Sequence, residues 1–91
     1  MKILRTATAG TLESNDVMVY VSPGEAGGVV VEVNSIVEKL YGEHIAGMVE
    51  KLVAALGVEN AKVVLQDRGA LDFAIKARVE TAVLRAARED A

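Results

Sequence analysis

The sequence predicts an α+β fold, a two-layer sandwich in which about four mainly antiparallel strands form a sheet and two amphipathic helices cover one face. Three observations support this fold class. Short valine-rich segments alternate in polarity, as strands do, and two longer segments repeat apolar residues every three or four positions, as helices do. The elements follow in the order βββαβα. Two helices that each have one apolar face need a surface to cover, and a sheet with one apolar face provides it.

The size and composition of the chain limit what it can be. Ninety-one residues are enough for one core, so we expect residues 1–91 to form a single domain. The net charge of −3 argues against nonspecific binding to nucleic acid, and the lack of cysteine excludes disulfides and thiolate metal sites. No apolar run approaches the roughly 18 residues of a membrane helix, and no signal peptide is evident. We therefore expect a cytoplasmic protein without membrane or nucleic-acid partners.

The first strand is predicted between Arg5 and Leu12, where small and β-branched residues predominate. Gly10, inside it, predicts a bulge or a close backbone approach, and the alternative is that this segment is a loosely ordered lead-in. Residues 14–16, Ser-Asn-Asp, predict a tight reversal, because Asn and Asp tolerate left-handed backbone and bond their own main chain. A serine hydroxyl is thus expected at a turn between two strands.

The second and third strands are predicted at residues 16–22 and 29–33, each with valine at every second position. Between them, residues 23–28 contain the strongest turn signal in the chain. Two strands joined by a glycine-rich connection predict an antiparallel hairpin.

The first helix is predicted to begin at a cap formed by Asn34 or Ser35, with Glu38 placed as a capping box requires, and to end at Gly57. Apolar residues at helical spacing define the face that should meet the sheet. They are Ile36, Val37, Leu40, Tyr41, Ile45, Met48, Val49, Leu52, Val53 and Leu56.

The fourth strand is predicted at residues 61–66, and Asp67 is predicted to cap a second helix that runs from about Ala70 into the region 85–87. Asp72 lies in the first turn, where the helix dipole favours negative charge. The apolar stripe is Leu71, Ala74, Ile75, Val79, Ala82, Val83 and Ala86. Arg68, Arg78, Arg85 and Arg88 are interpreted mainly as a solvated face. The alternative is that Arg68 binds a phosphorylated group or an acidic partner.

The pattern of polar residues assigns no catalytic or metal-binding residue. His44 is the only histidine, and a metal site needs several converging ligands. Glu13 and Asp16 flank Ser14, but acid and base catalysis by paired carboxylates needs a cleft with shifted pKa values. Ser14 has no histidine or lysine near it in sequence to act as its base. The serine is therefore a better acceptor for a group attached by another protein than a nucleophile.

Four segments resemble the acyl carrier protein, or gamma subunit, of bacterial citrate lyase. They are AGTLESNDVM at residues 9–18, VNSIVEK at 33–39, DRGALD at 67–72 and ARVE at 77–80. The resemblance spans nearly the whole chain. Asn15 stands where glycine is common in this family, and asparagine also tolerates the left-handed backbone that a turn requires.

The resemblance implies a non-catalytic carrier. Ser14 would bear 2'-(5''-phosphoribosyl)-3'-dephospho-CoA through a phosphodiester, attached by a prosthetic-group transferase. The thiol of that group would hold an acetyl group, which the alpha subunit of citrate lyase exchanges for citryl. The beta subunit then cleaves the citryl thioester to oxaloacetate. The alpha and beta subunits are the partners that the resemblance implies, and citrate fermentation is the setting.

Other functions remain open at this point. The carrier of malonate decarboxylase uses the same group but has a shorter attachment sequence, resembling Gly-Ser-Gly-Asp. The carrier of citramalate lyase cannot be distinguished from that of citrate lyase. A function of another class, an α+β interaction or regulatory module without covalent cargo, would be favoured if Ser14 were buried.

Overall fold

The computed structural model describes residues 1–25, 27–36 and 39–89. Along these residues the strands and helices follow in the predicted order βββαβα, which confirms the predicted fold class. The elements are β1 (Ala7–Gly10), β2 (Val17–Ser22), β3 (Val29–Ser35), α1 (Lys39–Ala55), β4 (Ala61–Asp67) and α2 (Asp72–Ala87). In this part of the chain, neither helix is long and apolar enough to cross a membrane.

The four strands form a mixed sheet in the order β1-β2-β4-β3. β1 pairs with β2 and β2 pairs with β4, both antiparallel, whereas β3 pairs with β4 in parallel. The predicted β2–β3 hairpin is therefore wrong, because β4 lies between these two strands. The connection after β2 instead crosses the start of β4. Gly24 packs there so closely that a Cβ atom would lie 2.7 Å from the backbone nitrogen of Ala61, and the N–H of Ala61 donates to the carbonyl oxygen of Gly28 at 3.2 Å.

The core lies between one face of the sheet and the two helices. Val17, Val19 and Val21 of β2 are fully buried, as their alternation predicts. Helix α1 packs on β3, α2 packs on β1 and β2, and the helices contact each other. The most deeply buried residues of the helices are Ile45, Val49 and Val53 in α1, and Ile75, Val79, Ala82, Val83 and Ala86 in α2.

The start of α1 differs from the prediction. Asn34 and Ser35 do not cap the helix, because both belong to β3, and the helix begins at Lys39. The Ser35 hydroxyl donates instead to Oδ2 of Asp67, its partner in the parallel register, at 2.8 Å. Glu38 of the predicted capping box and Val37 of the predicted stripe lie outside the described residues.

The start of α2 also differs. Asp67 ends β4, is only 1% exposed, and accepts the Ala70 N–H at 3.0 Å, so it closes the turn before the helix. The N-cap position is Leu71, which makes no side-chain cap bond. The predicted capping role of Asp67 is therefore wrong, because α2 begins only at Asp72 and Leu71 holds the N-cap position. Asp72 lies in the first helical turn, as predicted.

Candidate functional site

Ser14 lies at the second position of a four-residue turn, Glu13 to Asp16. The N–H of Asp16 donates to the carbonyl oxygen of Glu13 at 3.2 Å. Asn15 has a φ of 64°, whereas Ser14 does not have positive φ, and positive φ at the third position alone is what a type II turn requires. Ser14 is exposed, and its hydroxyl forms no hydrogen bond with the part of the chain that the structure describes. The predicted reversal is confirmed, and it presents the hydroxyl to solvent.

Backbone hydrogen bonds clamp this turn to the end of β4. The N–H of Asn15 donates to the carbonyl oxygen of Arg68 at 2.8 Å. The N–H of Arg68 donates in turn to the carbonyl oxygen of Asp16 at 2.9 Å. Asn15 and Asp16 are thus both paired with the single residue Arg68, as in a β-bulge. The contact extends the β2–β4 ladder, in which Val17 is the partner of Asp67. The turn is therefore a continuation of the sheet.

Asp16 is the polar centre of the turn. Its carboxylate accepts the Thr11 hydroxyl at 2.6 Å and the Val17 N–H at 2.7 Å. Arg78 of α2 donates from Nε to Oδ1 at 3.2 Å and from Nη2 to Oδ2 at 3.0 Å. The Thr11 hydroxyl, then the Val17 N–H and then the Arg78 guanidinium hold the pKa of Asp16 below its usual value, against the effect of burial. Interpreting Arg78 as part of a solvated face was wrong.

Gly10 brings the end of β1 against the start of β2. Its φ is 97°, and a Cβ atom there would lie 1.8 Å from the carbonyl oxygen of Val17. The side chain of Arg78 also passes 3.4 Å from that Cβ position. The predicted close backbone approach is confirmed, and it leaves room for the arginine to reach Asp16.

A second polar cluster joins the starts of the two helices. Asp72 accepts the Tyr41 hydroxyl at 3.0 Å and contacts Nε2 of His44 at 2.8 Å. The hydrogen bond with His44, followed by that with Tyr41, lowers the pKa of Asp72, while burial and then Asp72 raise the pKa of the Tyr41 phenol. His44 thus ties α1 to α2. The structure does not join this cluster to Ser14 by any hydrogen bond among the described residues.

Four large apolar side chains lie exposed where β3 and β4 end and both helices begin. We call this set the apolar end surface. Its members are Ile36 (65% exposed), Leu40 (74%), Leu71 (64%) and Phe73 (72%). The predictions that placed Ile36, Leu40 and Leu71 on core-facing stripes are wrong, because Ile36 directly follows β3, Leu40 is the second residue of α1 and Leu71 is the N-cap of α2. Arg68, which holds the Ser14 turn, lies between β4 and Leu71, so the apolar end surface and Ser14 share one end of the molecule.

Known proteins with similar sequences extend over nearly the whole chain. A family model described as the malonate decarboxylase delta subunit (MdcD) matches residues 4–86. A citrate lyase acyl carrier protein of Halothermothrix orenii is 46% identical over 97% of this chain and 93% of its own length. One from Streptococcus mutans is 49% identical over 96% of this chain and 85% of its own length. The chain belongs to the citrate lyase acyl carrier protein family. The resemblance found in the sequence is thereby confirmed.

Membership of the citrate lyase acyl carrier protein family confirms the prediction of a carrier rather than an enzyme, at the level of the family. A solved structure supports the fold. One chain of a Pseudomonas malonate decarboxylase hetero-tetramer in complex with malonate superposes with a TM-score of 0.79, over 91% of this chain and 84% of that chain. It is 20% identical in sequence, so the likeness concerns the fold alone.

Proposed function

We propose that this protein is the acyl carrier subunit of a citrate lyase and that Ser14 is the attachment point of its prosthetic group. The observation that carries the proposal is the exposed Ser14 hydroxyl, which forms no hydrogen bond with the described residues and lies on a turn bonded to the end of β4. An interaction module without covalent cargo would be favoured by a buried Ser14, and this serine is exposed. Residues 1–91 act as one carrier domain in this proposal.

The residues around Ser14 suit a phosphodiester-linked group such as 2'-(5''-phosphoribosyl)-3'-dephospho-CoA. The hydroxyl forms no hydrogen bond with the described residues, so attachment breaks none. The nearby Asp16 carboxylate is paired with Arg78, which reduces its repulsion of a phosphate. When bound, the group supplies a thiol that holds the acyl group as a thioester. The protein supplies a rigid anchor for it.

A rigid anchor matters because a tethered group reaches its target at an effective concentration set by the length and freedom of the tether. Two hydrogen bonds to Arg68 and the double contact of Asp16 with Arg78 fix the turn from two sides. Conformational freedom then resides in the arm, and none is added by a loose attachment loop. The chain holds the root of the arm and leaves bond making to its partners.

The partners in this proposal are the alpha subunit, which transfers the acyl group, the beta subunit, which cleaves the citryl thioester, and the transferase that modifies Ser14. The complex acts in the cytoplasm. The apolar end surface supports contact with such subunits, because large exposed apolar patches commonly mark interaction sites. Citrate is favoured over malonate as the substrate because the relatives at 45–49% identity are named for citrate lyase.

Intact-mass measurement of the carrier purified from its native host tests the attachment. Wild type should carry the added mass of the group, Ser14→Ala should lack it, and Ser22→Ala should retain it. Ser22 is a matched control because it is a partly buried serine at the end of β2. An unmodified wild-type carrier in an active complex would overturn the proposal. Protein made in a foreign host should be coexpressed with the transferase.

A further inference from the structure

Arg68 has a guanidinium group that no described residue engages. Its side chain is exposed, and only its backbone forms hydrogen bonds with the described residues. Arginines nearby on α2 are occupied: Arg78 binds Asp16, and Arg85 donates to the carbonyl oxygen of Thr8 at 2.9 Å. Arg68 is therefore an available cation.

The backbone places this cation beside Ser14. The peptide group that links Ser14 to Asn15 donates its N–H to the carbonyl oxygen of Arg68 at 2.8 Å. The N–H of Arg68 donates to the carbonyl oxygen of Asp16, the last residue of the turn. Gly69 follows with a φ of 90° and lies against Asn15, 3.6 Å from its Oδ1 atom to the position of a Cβ. The relative positions of the two backbones are thus fixed, and both the Ser14 and the Arg68 side chains are exposed at this contact.

Among the described residues no carboxylate forms an ion pair with Arg68, and the exposed Glu13 at the first position of the turn is the remaining nearby acidic group. Asp16 is paired with Arg78. Asp67, the preceding residue, is buried and bonded to the Ser35 hydroxyl and the Ala70 N–H. A planar guanidinium offers several N–H donors in a fork that matches the oxygens of a phosphate.

We propose that Arg68 is a positioning residue that binds the phosphate attached to the Ser14 oxygen. This rests on the proposed function in that the native phosphate is the diester through which the prosthetic group is attached. Binding by Arg68 restricts the first bonds of the arm, so the arm leaves the carrier along the end of β4, towards the apolar end surface. The thioester is thereby directed to the same end of the molecule that offers an apolar contact.

The local contact is tested without the native group by encoding phosphoserine at position 14 of the full chain and following its phosphorus-31 signal through a pH titration at low salt. The second ionisation of a phosphoserine has a pKa of about 6. A guanidinium that binds the dianion lowers this pKa, so Arg68→Gln should raise it by about half a unit. Arg68→Lys should give a smaller rise, and Arg85→Gln should leave the titration unchanged.

A titration that is the same in wild type and Arg68→Gln would overturn the proposal. Because the Arg68 side chain is exposed, both Arg68 variants should unfold at the wild-type urea concentration, and Arg68→Lys keeps the test available if the glutamine variant does not fold. The native carrier gives an independent readout. Its diester should show a phosphorus-31 shift that changes in Arg68→Gln and not in Arg85→Gln.

The two proposals fail in different ways. If the native carrier is unmodified while phosphoserine 14 responds to Arg68→Gln, then the proposed function is wrong and the Arg68 contact is correct. If the native carrier bears the group while the phosphoserine titration is the same in wild type and Arg68→Gln, then the Arg68 contact is wrong and the proposed function stands.

Discussion

The guanidinium of Arg78 donates two hydrogen bonds to the carboxylate of Asp16, from Nε to Oδ1 at 3.2 Å and from Nη2 to Oδ2 at 3.0 Å. Arg78 comes from the middle of α2 and Asp16 ends the Ser14 turn, so this pair joins the helical layer to the turn. The side chain of Asp16 is 16% exposed and that of Arg78 is 44% exposed. The pair is therefore partly screened, and its contribution lies mainly in fixing the turn.

Replacing Asp16 should make the free energy of unfolding less dependent on pH in the acidic range. The folded-state pKa of Asp16 is lowered, chiefly by the Thr11 hydroxyl, so its stabilisation is present above the unfolded pKa of about 3.9 and is lost as pH falls through the folded value. Asp16→Asn should thus cost about 1–2 kcal/mol at pH 7 and progressively less below about pH 4. Urea unfolding across this range measures the difference. Glu80→Gln is the charge-matched control, because Glu80 is exposed on α2. If Asp16→Asn lost the same stability at pH 7 and below pH 4, the ionic explanation would be contradicted.

Substitutions of Asn15 should separate backbone geometry from side-chain chemistry. With a φ of 64°, the position suits glycine, so Asn15→Gly should change the free energy of unfolding by less than about 0.5 kcal/mol. Asn15→Val should cost about 1–3 kcal/mol, because a β-branched residue is strained in the left-handed region. Urea unfolding at pH 7 distinguishes these outcomes. Equal stability of the two variants would mean that the turn relaxes to another conformation.

Gly10→Ala should be among the most damaging single changes in the chain. The new Cβ atom would overlap the carbonyl oxygen of Val17 at 1.8 Å, and the backbone at a φ of 97° is itself strained for alanine. We expect a loss of more than about 3 kcal/mol by thermal or urea unfolding. Gly47→Ala is the control, since no described atom beyond the adjoining backbone of α1 lies within 4 Å of its Cβ position, and it should stabilise the protein by up to about 1 kcal/mol. A mild effect at Gly10 would show that β1 can move away from β2.

Phe73→Ala should separate stability from docking. Phe73 is 72% exposed, so its removal should change the free energy of unfolding by less than about 0.5 kcal/mol, whereas Ile75→Ala, in the core, should cost about 2–5 kcal/mol. In a complex reconstituted with the alpha subunit, Phe73→Ala should slow acyl transfer because it removes part of the apolar end surface. An unchanged transfer rate would show that Phe73 lies outside the contact.

Elements governed by local pattern could be predicted from the sequence. The alternation of Val17, Val19 and Val21 identified the buried face of β2, and the helical repeat identified the buried face of α2. The strand order could not be predicted in this way. β3 pairs with a strand that comes after α1, and the glycine-rich connection after β2 was interpreted as a hairpin although it crosses the start of β4. Hydrophobic periodicity indicates which face of a strand is buried, but it does not indicate which strands pair with each other.

The candidate site divides in the same way. The turn at Ser14 follows from its asparagine and aspartate, whereas the role proposed for its hydroxyl comes from the family resemblance. The contact of Arg78 with Asp16 was missed because 62 residues separate them and each has an ordinary surface explanation when taken alone. Thr11 and Arg78 both lie in segments that resemble the family, which was the available signal. Ile36 and Leu40 were assigned to the buried face because the spacing of apolar residues does not show where the helix begins.

The central position of β4 in the sheet sets an order of events in folding. β2 can pair with β1, which precedes it in the chain. β3 pairs with β4, and the Ser14 turn bonds Arg68 at the end of β4, so both need β4 to be in place. The turn thus closes through a contact between distant parts of the sequence, which forms late because loop closure must come first. If the proposed attachment at Ser14 holds, a transferase that recognised the closed turn would act only on carriers whose sheet is already complete, and the attached group would then also mark successful folding.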